Sequence, residues 1–304
     1  MQMEHHTHEH INSNLLKDTG KALYIGIALN LIFALVEIAT GYWQNSLALI
    51  SDAGHNLTDV GGLIISLVAF KVSSIKPNSK FSYGFQKSTI LASLLNSLLL
   101  IATVGAIIYN AISRISKPLV VSGDTIALVA TIGIFVNTIS ALLFLKSKNH
   151  DLNAKGAYMH LFADALVSLG VVVGGIIIHF THFDWIDPLL SIVIGIVIFW
   201  GTYGILKESL KLSIDAVPIQ HNLEEIKKLI AQHKNVKEVH HLHIWAMSTT
   251  LSAMTVHLVL EDNLSNQLIT ETKDSIKLHM KHLNINHVTI ETDFSQTTII
   301  ENCN

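Results

Sequence analysis

Six long apolar runs are the feature that most restricts how this chain can fold. Each reaches the length of about 20 residues that an α-helix needs to cross a hydrocarbon layer about 30 Å thick. Hydrophobic residues make up 50% of the 304 residues and charged residues only 14%, which is too apolar for a soluble domain of this size. The sequence therefore predicts six membrane-spanning helices, at about Ala22–Trp43, Ser46–Val72, Lys87–Ser113, Val120–Leu145, Asn153–Phe180 and Ile186–Leu206.

The composition changes after the sixth run, because residues 211–304 mix polar and apolar residues as a soluble domain does. Their periodicity predicts a small α-β-β-α-β domain with its helices on one face of the sheet. The predicted elements are a helix at Asn222–His233, strands at Val236–Met247 and Leu251–Leu260, a helix at Ser265–Leu283 and a strand at His287–Phe294. We expect an N-terminal tail (residues 1–20), a six-helix transmembrane domain (21–210) and a cytoplasmic α/β domain (211–304).

The lysines between the spans predict the orientation in the membrane, since positive loops stay in the cytoplasm. If the N-terminus is cytoplasmic, the loops outside carry only Arg114 and Lys117. We therefore expect a multi-pass protein of the bacterial inner or cell membrane, with both termini in the cytoplasm. The single cysteine, Cys303, excludes a disulfide framework. The pI of about 6.6 argues against a nucleic-acid partner.

Two copies of one motif place ionisable residues inside the predicted spans. The second span contains HNLTD at residues 55–59 and the fifth contains HLFAD at residues 160–164, so both read HxxxD. A charged group at the centre of a bilayer costs about 2.5–3.5 kcal/mol on insertion scales, so such residues call for a functional reason. A spacing of four puts both side chains on one helix face. In antiparallel helices, His55 would lie level with Asp164 and Asp59 level with His160.

Two imidazoles and two carboxylates in the middle of the membrane predict a tetrahedral metal site. The donor set suits Zn²⁺, and Co²⁺, Ni²⁺ and Cd²⁺ are also possible. Because a metal binds neutral imidazole and ionised carboxylate, metal and protons compete for these atoms. The alternative is that each pair is an independent hydrogen-bonded link between helices. The predicted transport ligands are His55, Asp59, His160 and Asp164.

Other polar residues in the spans have weaker interpretations. Asp52 shares a helix face with His55 and Asp59, so it could orient His55 from outside the ligand set, relay protons, or lie near the outer mouth. For the remaining ones, hydrogen bonding between helices is favoured over metal binding, although Glu37 could also line the pathway. These residues are Asn30, Glu37, Asn96 and Asn137.

Histidines are concentrated at both ends of the chain. The N-terminal tract HHTHEH, residues 5–10, suits weak metal capture by a flexible tail; a cloning tag is the other interpretation. In the predicted α/β domain, histidines and carboxylates on adjacent strands could form a regulatory metal site. For His279 and His282, scattered surface positions are favoured. The other residues of interest are His240, His241, His243, His257, His287, Glu291 and Asp293.

Several stretches together resemble the cation diffusion facilitator family, in particular its zinc-type members. They are LALISDAGHNLTDV (47–60), FSYGFQK (81–87), MHLFADALVSLGVVV (159–173), WIDPLLS (185–191) and VHHLHIW (239–245). The resemblance implies a homodimeric metal/proton antiporter with a ferredoxin-like cytoplasmic domain. It implies that the two HxxxD pairs are the transport ligands, and that HxxxD in the second span goes with zinc preference.

The resemblance also implies a second, regulatory metal site in the cytoplasmic domain. The family's ligands there fall on His240 and His257, with Glu291 and Asp293 at the last-strand positions. Some relatives have a histidine in that strand, so this chain departs from their pattern. The loop between the second and third spans lacks the histidine and aspartate ligands of some relatives, so we expect no metal site in it.

The predicted function is therefore efflux of divalent metal, mainly Zn²⁺, by proton antiport. Zn²⁺ is expected as substrate and regulatory ligand rather than as a cofactor, with protons, the bilayer and a second copy of the chain as the other partners. The alternative is a membrane metal sensor that binds Zn²⁺ without moving it. We do not expect an enzyme, because four protein ligands close a tetrahedral shell and the chain has no HExxH motif.

Overall fold

The computed structural model describes residues 7–43, 47–115, 124–181 and 186–294. The chain divides into two compact units, one of residues 1–75 and 88–209 and the other of residues 76–87 and 210–304. The described part of the first unit consists of long helices, the last of which continues past residue 209. They are α1 (Thr7–Trp43), α2 (Leu47–Ser73), α3 (Ser88–Ile115), α4 (Asp124–Leu143), α5 (Leu152–Thr181) and α6 (Ile186–Ser213).

Each predicted apolar run coincides with one of these helices, but two helices extend well beyond their runs. α1 begins at Thr7, within the segment expected as a tail, and α6 continues to Ser213. Among the described residues, the stretches Thr19–Thr40 and Ser88–Ser113 are long and apolar enough to cross a membrane, and Thr131–Leu143 is a shorter apolar helix. Residues 5 and 6 of the N-terminal histidine tract (5–10) lie outside the described residues.

Buried hydrogen bonds join the long helices, as favoured above for the isolated polar residues. Asn30 Nδ2 of α1 donates to Ser140 Oγ of α4 over 3.3 Å. Asn56 Nδ2 of α2 donates to Glu37 Oε2 of α1 over 2.6 Å, and the Glu37 side chain is fully buried. Since an apolar interior offers no water as a substitute, these bonds fix how α1 lies against α2 and α4.

Small residues and apolar side chains complete the packing of the helices. A Cβ atom on Gly195 of α6 would lie 2.8 Å from Ile108 Cγ1 of α3, so only glycine allows this approach. Leu63 of α2 and Leu161 of α5 are buried in one cluster with Phe144. α2 and α5, the two helices that carry the HxxxD motifs, are therefore held in a fixed relation.

The second unit confirms the predicted α-β-β-α-β order. Its elements are α7 (Leu223–Ala231), β1 (Val236–Ala246), β2 (Ser252–Leu260), α8 (Asn266–His282) and β3 (Ile285–Phe294). The sheet has the order β1-β2-β3, with β1 and β2 antiparallel and β2 and β3 parallel. The parallel pair follows from α8, because a helix is the usual crossover between parallel neighbours.

The core of this unit lies between the two helices and one face of the sheet. Ile226 and Ile230 of α7 and Ile276 and Met280 of α8 pack with alternate residues of β2, from Met254 to Leu260. The helices begin at side-chain caps, since Asn222 Oδ1 accepts from two backbone N–H groups of α7 and Ser265 Oγ from one of α8. The other face of the sheet, called here the helix-free face, carries the polar strand residues.

A β-bulge in β1 determines which residues reach the helix-free face. His240 pairs with His257 and His243 pairs with Thr255, so β1 has one extra residue between these pairs. His241 is the extra residue, and its backbone adopts a left-handed conformation with a φ of 46°. Consequently His240 and His243 both lie on the helix-free face, while Leu242 packs against the core.

Candidate metal centre

Asp59 of α2 and His160 of α5 are in direct contact. His160 Nε2 lies 2.6 Å from Asp59 Oδ1, and it lies 3.7 Å from Asp164 Oδ2, one turn further along α5. Asp59 is 3% exposed, so its charge depends on partners in the protein rather than on water. A metal ion needs the lone pair of this nitrogen, so a metal and a proton would compete for it.

These three residues form a group with the spacing of metal ligands. Among the described residues, only Asp59, His160 and Asp164 bring three ligand atoms within 4.8 Å of one another. One imidazole and two carboxylates leave one position of a tetrahedral shell to fill. His55, the fourth predicted ligand, lies one turn before Asp59 on α2, but its side chain and that of Asp52 are not among the described ones.

A small cavity opens directly beside this group. It has a volume of about 50 Å³, and its walls include Asp59 and His160 together with Ser66, Asn96 and Thr202. Along the chain, Ser66 follows Asp59 in α2, and Gly156, also in the wall, precedes His160 in α5. The cavity therefore extends from the group toward the end of the helices at which α2 finishes and α5 begins. Sequence reasoning did not single out Ser66 or Thr202, because hydroxyl residues are common in membrane helices.

The four ligands predicted for the α/β domain all lie on the helix-free face. His257 pairs with His240 on one side and with Glu291 on the other, and its Nε2 lies 3.3 Å from Glu291 Oε2. Its Nδ1 lies 3.7 Å from Asp293 Oδ2, so the two carboxylates approach different ring nitrogens. His240 Nε2 instead contacts Glu238 Oε2 at 2.8 Å. In this arrangement the four residues are neighbours but do not surround one point.

Two histidines of the second unit have perturbed pKa values. Burial lowers the pKa of His221, whose Nε2 lies 3.0 Å from Ser252 Oγ. Burial and the neighbouring imidazole of His279 lower the pKa of His233. Both imidazoles are therefore held in the neutral form more strongly than in an unfolded chain.

We expect acid to destabilise the second unit through His221. Because its pKa is lower in the folded state, the unfolded chain takes up a proton first as the pH falls through the ordinary histidine pKa of about 6.5. The stabilisation is present above that pH and is lost as the pH falls toward the folded-state pKa. Hydrogen exchange of β2 in the detergent-solubilised chain, compared at about pH 7.5 and pH 5.5, measures the loss.

The control for this prediction is His221→Gln, which keeps a hydrogen-bonding group beside Ser252 but does not titrate. Its exchange should depend less on pH than that of the unchanged chain, after correction for the intrinsic exchange rate. An equal pH dependence in both proteins would contradict the role of His221.

Comparison with known proteins decides the family. Residues 23–212 match the cation efflux transmembrane domain, and residues 218–294 match the cytoplasmic domain of cation efflux proteins. The chain belongs to the cation diffusion facilitator family. This CDF protein thus combines a membrane-embedded transport domain, which contains the Asp59–His160–Asp164 group, with a small cytoplasmic domain.

Relatives of this CDF protein bear the names of metal transporters. The metal cation efflux system protein CzcD of Cupriavidus metallidurans is 34% identical, over 95% of this chain and 90% of its own length. The cadmium, cobalt and zinc/H(+)-K(+) antiporter of Bacillus subtilis is 32% identical, over 90% and 88%. The zinc transporter ZitB of Escherichia coli is 30% identical, over 95% and 92%. The family is one of transporters.

Proposed function

We propose that this CDF protein exports divalent metal ions, mainly Zn²⁺, from the cytoplasm in exchange for protons. The observation that carries the proposal is the contact of Asp59 and His160 across α2 and α5, with Asp164 beside them. His55 supplies the fourth ligand from the turn before Asp59, which completes a tetrahedral set of two nitrogens and two oxygens. Co²⁺ and Cd²⁺ share the preference for such donors and are expected as further substrates.

Proton exchange follows from the chemistry of the ligands. Metal binding needs the lone pair of His160 Nε2 and the ionised carboxylate of Asp59, so a proton on either atom and a bound metal exclude each other. A site that opens in turn to each side then carries metal one way and protons the other. The helices α1–α6 all span the membrane, with both termini and the α/β domain in the cytoplasm, as the lysine distribution predicts.

Two further elements belong to the proposal. The chain works as a homodimer, and the carboxylates and imidazoles of the helix-free face bind metal as a regulatory site after rearranging around His257. His240 would have to leave Glu238 to join Glu291 and Asp293 around a common ion. Asp52 supports His55 from the preceding turn of α2 or relays protons to it.

Zinc flux into proteoliposomes tests the proposal. With zinc outside and the lumen more acidic than the bath, we expect uptake by the inserted protein, since protons leaving the lumen drive zinc in. Reversing the pH gradient should slow uptake, and protein-free vesicles control for leakage. Zinc binding without flux under either gradient would instead show a membrane metal sensor.

A further inference from the structure

Two buried oxygen atoms in the cavity beside the Asp59–His160–Asp164 group have no hydrogen-bond partner in the described part of the chain. They are Asn96 Oδ1 on α3 and Thr202 Oγ1 on α6. Thr202 is fully buried, although a threonine hydroxyl in a helix commonly bonds to its own backbone. A polar atom buried without a partner is costly, so each such atom in a native protein calls for an explanation.

The hydrogen bonds of the Asn96 amide nitrogen fix the orientation of the whole amide group. Asn96 Nδ2 donates to Gly62 O over 3.1 Å and to Ser66 Oγ over 2.6 Å. Because a backbone carbonyl only accepts hydrogen bonds, the amide nitrogen of Asn96 must face Gly62. The amide oxygen then points elsewhere and has no donor among the described residues. The cavity therefore offers a hydrogen-bond acceptor at Asn96 Oδ1, and a hydroxyl that can accept at Thr202.

The cavity has room for water beside the metal group. A volume of about 50 Å³ exceeds the roughly 10–15 Å³ that one water molecule needs, and the polar side chains set in the mainly apolar wall offer water its hydrogen-bond partners. Neither lysine nor arginine is among its described lining residues, so acceptors predominate over charged donors. Acceptors next to a cation site suit water molecules bound to the ion, whose hydrogen atoms point away from the metal.

We propose that Asn96 and Thr202 form a hydration subsite for the transported divalent cation. Their oxygen atoms accept hydrogen bonds from water molecules that the ion still carries when it reaches Asp59 and His160. Part of the hydration shell is thus replaced in steps rather than lost at once. This inference rests on the transport function proposed above, because the subsite holds the same ion on the same path.

Thr202→Val is the sharpest test, since valine keeps the shape and removes only the hydroxyl. The full chain is reconstituted in proteoliposomes, and zinc flux is measured over a range of zinc concentrations. We expect the half-saturating zinc concentration to rise about fivefold, the size of one lost hydrogen bond to a water molecule. Thr202→Ser keeps the hydroxyl, so its half-saturating zinc concentration should lie within about twofold of that of the unchanged protein.

Two controls separate the subsite from a structural role of the hydroxyl. Thr138→Val makes the same change at an exposed position of α4 and should leave the half-saturating concentration unchanged. Because Thr202 Oγ1 has no described protein partner, Thr202→Val should not lower the thermal unfolding temperature of the metal-free protein. A lower unfolding temperature, or an unchanged half-saturating concentration, would overturn the subsite.

The outcomes also distinguish the subsite from the transport function itself. If the unchanged protein shows no zinc flux, the proposed function fails, and equilibrium binding of Zn²⁺ replaces flux as the measurement. Thr202→Val must then weaken zinc binding, with Thr202→Ser restoring it, for the subsite to stand. Equal zinc affinity of the three proteins would reject it.

Discussion

Replacing Asp59 with alanine is expected to lower zinc transport in proteoliposomes by a factor of about 100 or more. The substitution removes one proposed ligand and also the carboxylate that lies 2.6 Å from His160 Nε2. Losing a residue that merely supports a metal ligand typically costs 10- to 100-fold, and a ligand itself should cost at least as much. The initial rate of zinc uptake, at equal amounts of reconstituted protein, is the measurement.

Asp274→Ala is the matched control for this prediction. Asp274 lies on α8, is exposed, and pairs only loosely with Lys277 at 3.8 Å, so the same chemical change there should leave uptake near that of the unchanged protein. Undiminished uptake by Asp59→Ala would remove Asp59 from the transport site, and with it the proposal that α2 and α5 hold the ion between them.

Replacing Leu258 with alanine is expected to destabilise the α/β domain by about 2–5 kcal/mol. Leu258 is fully buried in the central strand β2, within the core between the sheet and both helices. Removing it leaves a cavity that the surrounding strands cannot close. Since small domains are stable by only about 5–15 kcal/mol, such a loss consumes much of the stability.

Hydrogen exchange of the β2 amides in the full chain measures this change, because it reports the opening of one unit even in a protein of several domains. Leu268→Ala is the control, since Leu268 lies on α8 with 42% of its surface exposed, and should change stability by less than about 0.5 kcal/mol. Equal protection of β2 in both variants would show that burial of Leu258 does not stabilise the domain more than an exposed leucine does.

Much of the architecture could be predicted from the sequence, because apolar periodicity determines where helices and strands form. The helix–strand–strand–helix–strand order of the α/β domain is confirmed, and its element boundaries differ from prediction by only a few residues. The start of α1 at Thr7 was not predicted, since the polar residues before the first apolar run give no membrane signal but are able to continue a helix.

The polar details near the metal group could not be predicted in the same way. The equivalence of the two HxxxD motifs pointed to Asp59 and His160, but nothing in the pattern distinguishes Thr202 from other threonines in the spans. Its significance depends on where α3 and α6 place their side chains around a cavity. Likewise, Asn56 follows His55 directly in the sequence, and only the packing of α1 on α2 shows that it binds Glu37.

The bulge at His241 makes the number of residues in β1 as important as their identity. Side chains alternate between the two faces of a strand, so deleting one residue from a regular stretch moves every side chain beyond it to the opposite face. Deleting His241 itself would remove the bulge and leave His240, Leu242 and His243 in regular alternation, so both histidines would still share a face while Leu242 stays inside. Deleting a residue in a regular part of β1 would instead turn the residues beyond it to the wrong face, so a one-residue shortening of this strand is tolerated only at His241.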